Sequence, residues 1–123
     1  MDRKTILVVD DSESICSALT CVLELAGHTP LTAGDGAEGV RKARQHRPDV
    51  ILLDIMMPVL DGWGAIRELK ASPETATIPV LALTALRLSQ AEVDGAGFAG
   101  YLSKPIPSHR LLEEIERACT PAR

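Results

Sequence analysis

The chain has 123 residues, enough for one domain with a genuine core and too few for a second of ordinary size. Hydrophobic residues make up 46% and charged residues 24%, a globular balance that excludes a largely disordered chain. The formal net charge of −4 argues against nucleic acid, whose backbone calls for a concentrated basic face, and no apolar stretch approaches membrane-spanning length.

In chain order, Met1-Asp2-Arg3-Lys4 leads into a short apolar strand, 5–9, rather than a signal peptide, and that strand stops on Asp10-Asp11. Ile15, Leu19, Val22 and Leu23 then recur at helical spacing, and Gly27 closes the helix. Cys16 and Cys21 lie five apart on it and point away from each other. With Cys119 they make an odd number without a C-x-x-C pair, so all three are expected reduced.

A second strand, 29–33, precedes Asp35 and Glu38, a capping pair three apart that opens a helix patterned on Ala37, Val40 and Ala43 and stopped before Pro48. The third strand, 50–53, is wholly aliphatic and ends on Asp54. Asp61 caps the next helix, with Ile66 and Leu69 on its apolar face, and the loop 71–79 carries two prolines. A fourth strand, 80–83, ends on Thr84. Ala91, Val93 and Ala96 give the following helix a weak face, and Gly95 and Gly97 keep it short and mobile. The fifth strand, 100–103, runs into Lys104-Pro105. Ser108 caps a last helix built on Leu111, Leu112, Ile115, Ala118 and Cys119.

Five strand-helix repeats with strands apolar on both faces predict a doubly wound, five-stranded parallel sheet, covered by helices on each side and spanning residues 1–123 as one domain. Such sheets bind ligands outside the carboxyl ends of their strands. Asp10, Asp11, Asp54, Thr84 and Lys104 would then share one crevice. Three adjacent carboxylates raise one another's pKa unless a cation intervenes, and hard oxygen ligands select Mg2+. Asp11 and Asp54 are the expected ligands, with Asp10 acting through water. An aspartate can also be the nucleophile that forms an acyl phosphate, and Asp54 is the candidate because it ends the central hydrophobic run. Lys104 and the Thr84 hydroxyl would hold the phosphoryl oxygens. Pro105 restrains the backbone after Lys104 and suits a cis bond that aims the ammonium inward.

Asp10-Asp11, Asp54-Ile-Met-Met-Pro58-Val-Leu-Asp61-Gly62, Thr84-Ala85 and Tyr101-Leu-Ser-Lys104-Pro105 resemble the receiver domain of two-component response regulators, over nearly the whole chain. The resemblance implies a flavodoxin-like (βα)5 fold and a phosphoacceptor, Asp54, served by a histidine kinase or histidine phosphotransfer protein. It further implies that Asp10 and Asp11 organise magnesium with the backbone carbonyl of Met56, and that Thr84, Ala85 and Lys104 bind the phosphoryl group. Thr84 and Tyr101 match the family's switch pair, acting on a downstream protein target. The kinase would dock around Ser14, Ser17 and Cys21 and the loop Ile106-Pro107-Ser108. Met56 and Leu86 occupy places that border the path of the attacking water, and their side chains orient it poorly, so a long-lived phosphorylated state is expected.

Taken singly, each residue has a plainer explanation: Asp10 or Asp11 as a helix cap, Thr84 as a strand-end hydroxyl, Lys104 as a solvated cation, Tyr101 as a boundary aromatic. Five matches in chain order at strand ends carry the reading. Two alternatives stay open: an aspartyl-phosphate phosphatase of haloacid dehalogenase type, and a receiver excised from a longer regulator or hybrid kinase. The first would need a general acid-base two residues after Asp54, where Met56 stands. No glycine-rich phosphate loop follows the first strand. A stand-alone, cytoplasmic signalling domain is favoured over an enzyme, as a monomer or weak dimer. Trp63 is expected to pack at the start of the third helix, and His28, His46 and His109 to lie on the surface.

Overall fold

The structure, a computed structural model, describes residues 3–57, 59–85 and 88–119. Five strands, β1 (Thr5–Val9), β2 (Thr29–Ala33), β3 (Val50–Asp54), β4 (Val80–Thr84) and β5 (Gly100–Ser103), alternate with five helices, α1 (Glu13–Leu25), α2 (Gly36–His46), α3 (Gly62–Ala71), α4 (Gln90–Ala96) and α5 (Ser108–Cys119). The strands form one parallel sheet in the order β2-β1-β3-β4-β5, the doubly wound, flavodoxin-like arrangement. The order of winding reverses between β1 and β3, which end side by side.

Alternation along the strands builds two cores. Leu7, Val9, Ile51, Leu53, Val80 and Ala82 point to one face and pack with Val40, Ala43, Ile66, Leu69, Val93 and Phe98 from α2, α3 and the α4 region. Ile6, Val8, Val50, Leu52, Leu81 and Leu83 point to the other and pack with Leu19, Leu23, Leu111 and Ile115 of α1 and α5. Each of these side chains larger than alanine contributes about 1.5–3 kcal/mol on burial. Both faces being covered explains why the strands read as unbroken aliphatic runs.

Helix starts are fixed by side chains. Asp35 accepts from Glu38 N at 2.8 Å while Glu38 Oε1 accepts from Gly34 N at 2.6 Å, and Asp61 accepts from Gly64 N at 2.9 Å. Ser89 and Glu92 form a reciprocal capping box on the seven-residue α4, which ends at Gly97 with φ +95°. Trp63 is half-buried at the start of α3, edge-on to Phe98.

Several expectations are corrected. β3 and β4 each run one residue further, so that Asp54 and Thr84 belong to the ladder. The plainer explanation of Asp10 or Asp11 as a helix cap does not hold, because the cap of α1 is Ser12, whose Oγ accepts from Ile15 N at 3.3 Å. Ser108 is the first helical residue of α5, and the first turn closes from Leu111 N to the Pro107 carbonyl at 3.1 Å. His28 is not a surface residue: it is 5% exposed, because the turn from α1 into β2 folds it beneath the start of β1, where Lys4 N donates to its Nδ1 at 3.1 Å. Burial, and then the Lys4 charge, lower its pKa.

Candidate functional site

The carboxyl ends of β1, β3, β4 and β5 are level with one another. Val9 pairs with Leu53, Asp54 with Leu83, and Thr84 with Ser103, so the residues that follow each strand emerge along one edge. Backbone hydrogen bonds carry the ladder past the strand ends: Asp10 N donates to the Ala33 carbonyl at 3.1 Å and Lys104 N to the Thr84 carbonyl at 2.8 Å. Asp10, Asp54, Thr84 and Lys104, distant in sequence, are thereby fixed by the sheet itself.

Asp10 and Asp54 are buried and Asp11 is exposed at the mouth; one carboxylate oxygen from each lies within 4.8 Å of the others. Lys104 Nζ is 2.8 Å from Asp10 Oδ2 and 3.4 Å from Asp54 Oδ2. The Lys104-Pro105 peptide is cis. Ser12 N donates to Asp10 Oδ1 at 2.9 Å and Met56 N to Asp54 Oδ1 at 3.2 Å. Asp10 and Asp54 thus each meet the Lys104 ammonium and one backbone amide, more closely at Asp10, which leaves acceptor sites on Asp54 and Asp11 for a further partner.

Burial, followed by the Asp10 charge, pushes the Asp54 carboxyl above its ordinary value, against the pull of Lys104 and the Met56 amide. Burial alone would lower the Lys104 ammonium, but its hydrogen bond to Asp10 and the Asp10 and Asp54 charges outweigh this and raise it. Three carboxylates against one ammonium leave two formal negative charges in the crevice. Oxygen donors, that charge and a carboxyl under electrostatic stress together suit a small divalent cation.

Thr84 is buried at the end of β4, and Ala85 after it is exposed. Tyr101 is half-buried on β5, packed against the core shared with Val93 and Phe98. Met56 is 63% exposed, at the rim of the crevice. Leu86 and Pro58 lie outside the described residues. Ser14, Ser17 and Cys21 are exposed on α1. Beside them an apolar cleft of about 460 Å³, lined by Ile15, Ala18, Leu19, Pro105 and Ile106, reaches Lys104.

Sequence reasoning passed over Ser12 and Cys16. Ser12 positions Asp10 through its N–H, and Cys16 Sγ donates to the Asp10 carbonyl at 3.3 Å, its thiol held protonated by burial and then by the Asp10 charge. A serine three residues before Ile15 was a readable cap signal; the thiol contact had none. Gly62 is dictated by the site as well. A Cβ there would stand 2.5 Å from Ile55 Cα and 2.6 Å from the Asp54 carbonyl oxygen, so only glycine lets α3 start this close beneath β3.

Fold and crevice together define a doubly wound signalling-type domain whose strand-end aspartate faces an ammonium and two further acids. Comparison with known proteins narrows this class. The chain belongs to the response regulator receiver domain family, whose sequence profile matches residues 6–116. It is 44% identical over 112 residues to the protein PilH of Pseudomonas aeruginosa, covering 89% of this chain and 93% of PilH. Among solved structures, the chemotaxis protein CheY4 of Vibrio cholerae superposes with a TM-score of 0.88 at 32% identity, covering 95% of this chain and 99% of that one. The receiver domain of the sensor histidine kinase PA1611 of Pseudomonas aeruginosa, solved with a magnesium ion coordinated in its active-site cleft, also gives 0.88 at 32% identity, covering 96% and 98%. The chain is therefore a two-component signalling domain of the response-regulator kind.

Proposed function

We propose that Asp54 takes a phosphoryl group from a histidine kinase or histidine phosphotransfer protein, and that residues 1–123 act as a single-domain, cytoplasmic response regulator. The observation that carries this reading is the Asp54 carboxylate, buried at the end of the central strand with the Lys104 ammonium 3.4 Å away and two more carboxylates beside it. In the transfer, an Asp54 oxygen forms the new O–P bond as the P–N bond to the donor imidazole breaks and its electron pair returns to the ring nitrogen. Lys104, claimed by Asp10 and Asp54, turns to the incoming phosphoryl oxygens. The Thr84 hydroxyl and the Ala85 N–H supply further donors.

Magnesium held by Asp11, Asp54 and the Met56 carbonyl, with Asp10 acting through water, would offset the charge that carboxylates and phosphoryl oxygens bring together. The donor protein sits on the exposed face of α1 and the cleft by Pro105 and Ile106, which opens directly onto Lys104. Thr84 and Tyr101 carry the change to α4, β5 and α5, where a downstream protein binds. Turnover is confined to self-phosphotransfer and slow self-dephosphorylation, because Met56 stands where a second acid would be needed. The protein is a monomer or weak dimer.

Incubation with acetyl phosphate and magnesium, read by intact mass, tests the reading. One phosphoryl group is expected on the parent, none after chelation and none on Asp54→Asn. A parent that gains no mass at any magnesium concentration would remove the proposal.

A further inference from the structure

On the α2 and α3 side of the sheet lies a groove of about 550 Å³ that shares no lining residue with the Asp54 crevice. Ala37 and Leu60, above the buried Val40, form its apolar part, and Arg41, Arg44 and Glu68 its charged rim. Its floor is set by close backbone packing: a Cβ at Gly36 would collide with the Leu60 carbonyl oxygen, and one at Gly64 would come within 2.6 Å of Leu60 Cδ1. Leu60 is therefore wedged between two glycines and the notch is preformed.

Part of the rim's charge has no ion-pair partner among the described residues. Although the net charge is −4, Arg41, Lys42, Arg44, His46 and Arg47 fall within seven residues. Lys42 is held by Glu38 at 3.3 Å and Arg47 by Glu74 at 4.0 Å. Arg41 and Arg44 are in no ion pair among the described residues, and they stand three apart on one helix, along the groove. Two guanidinium groups so spaced match carboxylates three or four apart on a facing helix.

We propose that this groove docks an acidic amphipathic helix of a partner protein, with an aliphatic side chain on Ala37 and Leu60 and carboxylates on Arg41 and Arg44. A polyanion fits less well. A phosphate backbone offers no aliphatic group to cover Ala37 and Leu60, and Glu68 on the rim confines favourable anionic contacts to the Arg41 and Arg44 side, which suits a few spaced carboxylates rather than a continuous run of charge. The surface is separate from the Asp54 crevice and does not depend on phosphoryl transfer.

The test is an NMR titration of the parent protein with a capped helical peptide of Ala, Glu and Leu, glutamates standing three and four residues either side of one leucine. Saturable shifts are expected at residues 37–45 and at Leu60 and Glu68. Arg44→Glu or Arg41→Glu should weaken binding by about tenfold or more, while Glu68→Gln should strengthen it by about twofold. The urea midpoints of these exposed variants should match the parent, which separates lost binding from lost folding. The proposal is overturned by any of four results: no saturable shift at low salt; shifts elsewhere; affinity indifferent to Arg41 and Arg44; or equal perturbation by a DNA duplex or phosphatidylglycerol vesicles. Self-association through this face, seen by sedimentation and abolished by Arg44→Glu, would assign it to a second copy and overturn it too.

Discussion

Replacing Gly62 by alanine should destabilise the protein and misplace its site together. The added methyl would stand 2.5 Å from Ile55 Cα and 2.6 Å from the Asp54 carbonyl oxygen, both backbone atoms at the end of the central strand. Carbon contacts are comfortable at about 3.5–4.0 Å, so α3 must retreat from β3 by roughly 1 Å. Overpacking of this kind costs about 1–3 kcal/mol. A reactive group misplaced by about 1 Å can lose about a hundredfold in rate. Urea unfolding gives the first quantity and the initial rate of phosphorylation by acetyl phosphate the second. Gly95→Ala is the control: a Cβ there meets nothing within 4 Å, and alanine should stabilise the exposed helix α4 by about 0.5–1 kcal/mol. The same chemical change is thus expected to have opposite signs at two glycines. A Gly62→Ala protein within about 0.5 kcal/mol of the parent would refute the close-packing argument, since that is the spread of ordinary surface substitutions.

His28, buried and neutral in the fold, gains a proton on unfolding, so its lowered pKa makes stability fall as pH drops below about 6.5 and leaves it flat above. Denaturant melts between pH 7.5 and 5.5, values set about a unit either side of that pKa, should show a steeper loss in the parent than in His28→Asn; parallel curves would contradict this. Ser12→Ala should cost about 1 kcal/mol through loss of the α1 cap, yet keep phosphorylation, because Asp10 is held by the Ser12 N–H rather than its hydroxyl. Met56→Asn, at a rim position 63% exposed, should speed decay of the phosphorylated form by about tenfold by orienting water, and unchanged decay would show that this side chain does not control it.

What could be read from the chain was what repeats or sits next to a local signal. The strands were legible because helices cover both faces, leaving aliphatic runs that end abruptly on Asp10, Asp54, Thr84 and Lys104. Asp35 with Glu38, and Asp61, marked helix starts because a cap acts over three residues. The approach of Lys104 to Asp10 spans 94 residues and was inferred from the sheet's topology, not from spacing. His28 escaped because its burial comes from the chain folding back over β1, a tertiary event that a lone histidine does not announce. The basic half of α2 escaped because net charge averages it against acids elsewhere, while the helix collects it on one side of a groove.

The central claim is that one carboxylate, Asp54, carries the signal. Borohydride reduction after brief phosphorylation converts an aspartyl phosphate to homoserine, and peptide mass spectrometry then locates it. Homoserine at position 54 and at no other aspartate, appearing only with magnesium present and lost in Lys104→Ala, is the expected result. Homoserine at Asp10 or Asp11, or reduction at position 54 that persists undiminished under chelation, would contradict the account.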